Sequence, residues 1–346
     1  IQGVQQPYSP SLQVLDTNMY PWQIAPNQVF DTTYYVASRT YSAHLNNDTL
    51  PDLYGIGADP VISVFANQGN GQYIHHAIKT FPAGTTLWDV RAADMDNDND
   101  QDLVVSSPSL NRVYWFENLG NFNFQEHMLA NSLTYPQHIH ISDVDQDGFK
   151  DILVASSNKL VLLRSDSAHG TFTSIDITTG LTAAIFIEAT DLDGDGDLDI
   201  LGSDPSQSSL YWWEDTTGQQ DYAARLISSS VSGYGINQLK ADDWDEDGDL
   251  DIFFLASNTL SGNGNRFGYF RNDSSSSWTE VILDTVSEPT HFELIDFDGD
   301  LDTDILINSS TDDQLHVFER LGMSLFREHL LDSIQWSYDF QVVDVD

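Results

Sequence analysis

The chain of 346 residues has no cysteine and only 13 lysines and arginines, against 54 aspartates and glutamates. The first absence removes disulfides, zinc–thiolate centres and thiol nucleophiles. It leaves the compartment open, because a metal-stapled secreted protein needs no disulfides. The second argues against nucleic acid as a partner, since a phosphate backbone is gripped by a basic stripe that so few cations cannot build. No apolar run approaches the ~18 residues of a membrane-spanning helix, so no membrane insertion is expected. No leader pattern is visible, and the first residue, Ile1, leads us to expect a processed or trimmed chain. Phosphate-cradling glycine loops and nucleophile elbows are missing too.

What is present is an apolar content of 40% and an aromatic content of 12%, ample for a packed core. The net charge of −41 is unevenly spread, because five nine-residue segments hold 25 of the 54 acidic residues. A uniformly acidic surface would speak only of solubility or salt adaptation; this clustering points to cation sites. Sequons at Asn47, Asn272 and Asn308 permit glycosylation.

The five segments are "DMDNDNDQD" (94–102), "DVDQDGFKD" (143–151), "DLDGDGDLD" (191–199), "DWDEDGDLD" (243–251) and "DFDGDLDTD" (296–304). A weaker copy, "HLNNDTLPD", fills 44–52, and a bare "DVD" stands at 344–346. Starts at 44, 94, 143, 191, 243, 296 and 344 give a period near fifty residues, the mark of tandem supersecondary units. Before each loop runs an alternating segment such as "HIHIS" (138–142), and after it an apolar run such as "DILVASS" (151–157). A third segment is aromatic, as in "LYWWED" (210–215), and a fourth has an aromatic residue four places before an aliphatic pair, as in "FREHLL" (326–331). Four short strands per repeat with tight turns predict propeller blades. The aromatics of the third segments are expected to pack blade against blade, and the pairs Glu126–His127 and Glu328–His329 to lie on the outer rim.

The predicted fold is therefore all-β: a seven-bladed β-propeller of four-stranded antiparallel blades in one domain, 1–346, with repeats beginning near 32, 84, 136, 183, 235, 289 and 337. The chain stops three residues into the seventh loop, which would leave sheet edges unpaired. Residues 1–31, through "IQGV", "SLQVLD" and "YPWQIA", are expected to complete the blade begun by the C-terminal strand 337–343. Exchange of these strands between molecules would instead build a filament or closed assembly, so self-association is a second expectation.

Aspartates at positions one, three, five and nine of a tight loop are predicted to converge on one point. The ligands are Asp94, Asp96, Asp98 and Asp102; Asp143, Asp145, Asp147 and Asp151; Asp191, Asp193, Asp195 and Asp199; Asp243, Asp245, Asp247 and Asp251; and Asp296, Asp298, Asp300 and Asp304. So many hard oxygens suit Ca²⁺, giving about five sites, whereas Mg²⁺ keeps its waters. Glycine at position six (Gly148, Gly196, Gly248) permits the sharp turn; Leu301 stands there in the last loop, whose turn is expected to be distorted. The loop opens like an EF-hand but ends at an aspartate followed by a strand, without the bidentate glutamate at twelve. The first loop, with His44, Asn46, Asp48 and Asp52, has lost charge and is expected to hold calcium weakly or not at all.

The D-x-D-x-D-G-x-x-D-[IL] motif, repeated over nearly the whole chain, resembles the FG-GAP/VCBS repeats of seven-bladed propellers, which include the integrin α-subunit head. Second strands that end "VASS", "VSSP", "LGSDP" or "LASN" rather than Gly-Ala-Pro bring the chain closer to secreted microbial VCBS propellers. The resemblance implies an extracellular, calcium-stabilised module for adhesion, carbohydrate binding or assembly, secreted or at the cell surface, with a glycan or extracellular protein as partner. Each ion bound only by the folded state would stabilise it by about 2.7 kcal/mol at a hundredfold excess over Kd.

In the innermost strands, positions three and five before each loop are mostly polar and are expected to face a central channel: Arg39 and Tyr41, Asp89 and Arg91, His138 and His140, Phe186 and Glu188, Gln238 and Lys240, His291 and Glu293, Asp339 and Gln341. A non-enzymatic recognition module is the first reading. The enzymatic alternative is a polysaccharide lyase, with His138, His140, Tyr135, Arg91 and His291 cast as base and acid-neutralising groups. Between fourth and first strands, Trp88, Tyr135, Tyr234, Trp336 and Tyr338 stand beside small polar residues and are candidates for stacking on sugars.

Overall fold

The computed structural model describes residues 37–331, apart from 47, 70–71, 167–170, 180, 182–183, 185, 205–208, 219, 229–233, 259–265, 275–276, 284–288, 310–313 and 323–324. Every regular element among the described residues is a β-strand. Blade one comprises β1 (Ala37–Ala43), β2 (Asp52–Gly57), β3 (Val61–Asn67) and β4 (Tyr73–Thr80). Blade two has β5 (Asp89–Ala93), β6 (Asp102–Ser107), β7 (Arg112–Asn118) and β8 (Phe124–Ala130); blade three has β9 (Pro136–Ser142), β10 (Asp151–Ser156), β11 (Lys159–Ser165) and β12 (Phe172–Thr179). Blade four follows with β13 (Phe186–Thr190), β14 (Asp199–Asp204), β15 (Ser209–Asp215) and β16 (Tyr222–Ser228). Blade five is β17 (Tyr234–Asp242), β18 (Asp251–Asn258), β19 (Arg266–Ser274) and β20 (Ser277–Ile282); blade six is β21 (Pro289–Ile295), β22 (Asp304–Ser309), β23 (Leu315–Gly322) and β24 (Leu325–Leu331).

Each blade is a four-stranded antiparallel meander in sequence order. Six blades are thus described, one fewer than the period predicts; the strands expected to form the seventh, in 1–31 and 337–343, lie outside the described residues. The first strands of blades one to five neighbour one another in succession, and β21 of blade six neighbours β18 of blade five. Register explains why every aspartate loop lands at the same place. Position nine is the first residue of the second strand and pairs with the last residue of the first, as Asp102 with Ala93 and Asp199 with Thr190.

The core consists of layers between blades rather than one central mass. Leu103, Val105, Tyr114 and Phe116 of blade two pack on Tyr54, Ile56 and Val64 of blade one, and Trp212 of blade four packs on Phe254 and Phe270 of blade five. The aromatic third strands do lie between blades, as their repeated position requires. Second strands are buried along their length (β6, β10, β14, β22), because both of their faces are covered by neighbouring blades. Fourth strands are half-exposed. On that rim His127 pairs with Glu117 at 2.6 Å and His329 with Glu319 at 2.5 Å.

Candidate functional site

Each loop is pinned into the interblade layer by its second residue. Leu45, Met95, Val144, Leu192, Trp244 and Phe297 are all buried, whereas the odd positions carry the carboxylates. The backbone then wraps around those carboxylates. In the loop 143–151 the N–H groups of Asp147, Gly148 and Phe149 donate to Asp145, Asp143 and Asp147 at 3.3, 3.0 and 2.9 Å. The same three bonds recur in 94–102, 191–199 and 296–304. This wrapping requires left-handed backbone at two positions, four and six. Gly148, Gly196 and Gly248 supply it at six, and Asn97, Gln146, Gly194, Glu246 and Gly299 at four. The requirement at four was not anticipated from sequence, because four different residue types across the five loops hide it.

One expectation is corrected here. The turn at 296–304 is not distorted: Leu301 adopts φ 75°, its N–H donates to Asp296 at 3.1 Å, and its side chain is 92% exposed, so the turn is kept at the cost of backbone strain. Three of the four predicted carboxylates of each loop are grouped. Positions one, three and nine converge in three loops (Asp94, Asp96, Asp102; Asp143, Asp145, Asp151; Asp191, Asp193, Asp199), with ligand atoms within 4.8 Å of one another. Positions one, three and five converge in the other two (Asp243, Asp245, Asp247; Asp296, Asp298, Asp300).

Position nine has a second task. Asp199 Oδ2 accepts from the Leu192 N–H at 3.1 Å and Oδ1 from the Asp215 N–H at 2.9 Å, tying the loop to the end of the third strand. Asp52, Asp102, Asp151 and Asp304 do the same. Burial pushes Asp102, Asp199 and Asp251 up to about 7 and Asp151 up to about 6, against the opposing pull of these N–H donors. Asp304 and Asp52 are raised for the same reason.

These residues fit a divalent cation. Asp143 Oδ1, Asp191 Oδ1, Asp245 Oδ1 and Asp251 Oδ2 are buried oxygens with no hydrogen-bond donor, and an acceptor in that state is costly unless a cation meets it. The donors are all hard carboxylate oxygens, which suits calcium or magnesium over softer metals. Around the charge-depleted first loop, Asp48 accepts from Leu50 N at 2.8 Å and Asn46 from Asp48 N at 2.9 Å, so the turn survives there. No three-carboxylate group forms at that loop among the described residues.

The inner strands enclose a cavity of ≈ 470 Å³ lined by Arg39, Arg91, His138, His140, Phe186, Glu188, Gln238, Lys240, His291 and Glu293. The alternating residues Val90, Ile139, Ile187, Leu239 and Phe292 are buried. Asp89, expected to face the channel, is fully buried and is not among its lining residues; it and the lining residue Gln238 tie blades together. Asp89 accepts from Arg91 Nε at 3.3 Å and from the Ile139 N–H of the next blade at 3.0 Å. Gln238 donates to the carbonyl of Phe292 at 2.8 Å and accepts from its N–H at 3.1 Å, clasping blade six. Burial opposes the charge of Asp89, but Arg91 and then Arg39 outweigh it and hold the carboxyl below its usual value. Lys240 pairs with Glu293, which also bonds His291 at 3.1 Å. Burial pushes His138 down to about 3 and His140 down to about 4, so both are neutral, and pushes Glu188 up to about 7. His138 stacks on Phe186 with ring centres 4.2 Å apart.

Four of the five lyase candidates, Arg91, His138, His140 and His291, therefore share one cavity; Tyr135 is not among its lining residues. Tyr135 sits on the turn before β9 with φ 53° and is 45% exposed, while Trp88 is half-buried beside β5. Tyr234 opens β17, and Trp336, Tyr338, Asp339 and Gln341 lie outside the described residues. A second cavity, of ≈ 690 Å³, opens between the loops of blades one and two and is lined by Tyr41, His44, Asn46, Tyr54 and Arg91 among others. It was not foreseen, because its walls come from two repeats and no single motif marks it.

A propeller whose blades carry in-phase aspartate clusters on their first turns defines the class of protein. The repeat is matched by the family described as FG-GAP-like repeat over residues 44–105, 94–154, 143–202, 191–254 and 243–307, and the chain belongs to that family. No curated protein matches the sequence. Among solved structures the chain is similar to an Agrocybe aegerita lectin, described for its specific recognition of non-reducing terminal N-acetylglucosamine. That likeness has 14% identity and a TM-score of 0.58 over 85% of this chain and 80% of that one. It is also similar to BBS1N, solved in complex with ARL6DN, at 11% identity and a TM-score of 0.57 over 88% of this chain and 86% of that one. At such identities the likeness is one of fold.

Proposed function

We propose that this protein is a secreted or cell-surface recognition module: a calcium-braced propeller of seven blades, the seventh assembled from residues 1–31 and 337–343, that binds a glycan or an extracellular protein without catalysis. The observation that carries the reading is the set of five aspartate clusters on equivalent turns, several with buried oxygens that lack a donor. The lectin and the ARL6-bound propeller that share the fold support binding as the activity, and the lectin makes a glycan the first ligand to test. Extracellular calcium sites of this kind bind at roughly 10⁻⁴–10⁻³ M, which favours a calcium-rich location.

Calcium bound only by the folded state adds about 2.7 kcal/mol per site at a hundredfold excess, so chelation by EDTA is expected to lower the melting temperature by many degrees and calcium to restore it. An unchanged melt would refute the bracing role. A glycan array in calcium and in EDTA tests recognition; specific, calcium-dependent binding is expected, and a blank array would move the assignment to a protein ligand or to strand-exchanged assembly. The lyase reading keeps one supporting observation, the shared cavity of Arg91, His138, His140 and His291. It would be established by unsaturated products, seen by ultraviolet absorbance, from a uronate polymer.

A further inference from the structure

The aspartate loops touch one another around the rim. At position four, Asn97 Nδ2 donates to the carbonyl of Gly148 at 2.9 Å, and Gln146 Nε2 donates to the carbonyl of Gly196 at 2.6 Å. Both acceptors are position six of the following blade's loop. The peptide that carries each carbonyl also carries the N–H of position seven, and this N–H donates to the position-five carboxylate: Phe149 to Asp147 at 2.9 Å, Asp197 to Asp195 at 3.0 Å. One peptide plane is thus held from both sides, by a carboxylate of its own loop and by an amide of the preceding blade. The N–H of the same position-six residue donates to position one, Asp143 or Asp191, at 3.0 and 3.1 Å. The neighbour's amide therefore acts on a residue whose two flanking peptides align two carboxylates of the loop, position five through the bridged peptide itself and position one through the peptide before it.

The bridge needs a left-handed residue with an amide at position four. Asn97 (φ 62°) and Gln146 (φ 57°) meet that need. Gly194 has the backbone, at φ 73°, but no side chain, and Glu246 (φ 60°) has a carboxylate that cannot donate and instead pairs with Arg320 at 3.2 Å. The amide chain accordingly links the loops 94–102, 143–151 and 191–199 and stops before 243–251. The break coincides with a change in the clusters themselves. Position nine joins positions one and three up to 191–199, and position five takes that place from 243–251 onward.

We infer that Asn97 and Gln146 are positioning residues for the divalent-metal site of the following loop, so that the sites at 143–151 and 191–199 are completed by the preceding blade and the site at 243–251 is not. The inference rests on the calcium reading of the clusters. Its consequence is that affinity at one loop depends on a residue of another blade that is no ligand there. A merely structural rim bond would instead alter stability and leave each site's affinity unchanged.

A gain-of-function variant tests this at the modest backbone cost of a side chain in left-handed geometry. A Cβ on Gly194 meets nothing within 4 Å, and asparagine tolerates left-handed backbone, as Asn97 does at the equivalent position. Gly194→Asn in the full chain is expected to tighten the site at 243–251 about three- to tenfold, the worth of one added hydrogen bond. The probe is terbium; because Trp115 and Trp212 lie beside Asp102 and Asp199, the signal from 243–251 is taken as the part of the tryptophan-sensitised luminescence that Trp244→Phe removes. In the reverse direction, Gln146→Leu is expected to weaken one calcium-binding step by a similar factor in a calorimetric titration, Gln146→Asn to retain part of that loss-sensitive affinity, and neither to move the Trp244-sensitised terbium signal. If terbium binds the unaltered chain and Gly194→Asn leaves its affinity at 243–251 unchanged, the positioning role is overturned. If neither calcium nor terbium binds the unaltered chain, the calcium reading fails, and the positioning role with it.

Discussion

Blades two to four and blades five and six carry the same nine-residue motif and use it differently. In the first group the third carboxylate of each cluster comes from position nine; in the second it comes from position five. Where position nine is Asp199, both of its oxygens also hold backbone N–H groups, whereas Asp251 holds only that of Asn272, because the Trp244 N–H turns to the carbonyl of Asp242 and leaves Asp251 Oδ2 without a donor. The irregularity between third and fourth strands moves as well. It falls near the start of the third strand in blade two, at Val113/Tyr114, and near its end in blades five and six, at Asn272/Ser274 and Arg320/Gly322. Those late shifts lie beside the residues whose N–H groups meet Asp251 and Asp304. The lesson is that a ligand motif specifies which oxygens are available, while the strands behind it select which of them face the cluster.

The largest effect that would test this division is expected from pH in metal-free protein. Burial raises Asp102, Asp199, Asp251 and Glu188 to about 7 and Asp151 to about 6 in the folded chain. Between about pH 4 and pH 7 the folded state then binds more protons than the unfolded one, so stability falls as pH rises through that window. His138 and His140, depressed by burial to about 3 and about 4, act in the opposite sense and lose stability as pH falls below their unfolded value. The carboxyls outnumber them. Thermal melts in EDTA should therefore give a higher melting temperature at pH 5.5 than at pH 7.5, with the order reversed in millimolar calcium; a metal-free melt that rises with pH would contradict the burial of these groups.

A smaller effect separates Asp199 from Asp251, the one position-nine carboxylate of the five clusters that holds a single N–H, since Asp304 of blade six keeps two. Asp199→Ala strands two buried N–H groups and Asp251→Ala one, at about 1–3 kcal/mol each. Measured by denaturant unfolding in EDTA, where metal plays no part, the first variant should be about twice as destabilising; equal losses would erase the distinction. The smallest effect concerns Leu301, an exposed residue in left-handed backbone. Leu301→Gly should stabilise the chain by about 1 kcal/mol, and a loss of stability would mean that the side chain has a role its exposure conceals.

Much of this was legible in the residues. The spacing of the loops predicts four strands per repeat, and the structure has them; the aromatic third segments predict interblade packing, and Trp212, Phe254 and Phe270 pack so. Less legible was the division of labour within a loop. Asp98 and Asp102 look equivalent in the string, yet Asp102 joins Asp94 and Asp96 whereas Asp98 does not. The links Asn97 to Gly148 and Gln238 to Phe292 join residues about one repeat apart, and no local pattern announces them.

The sequence by itself determined the repeat, the strand alternation and the gathering of carboxylates, because each depends on contacts within a few residues and on a period of two in every strand. Only the tertiary structure decided which carboxylates face together, which loops brace their neighbours, and where the chain encloses cavities. Those outcomes depend on how one blade is set against the next, a relation between residues about fifty positions apart that interblade packing fixes.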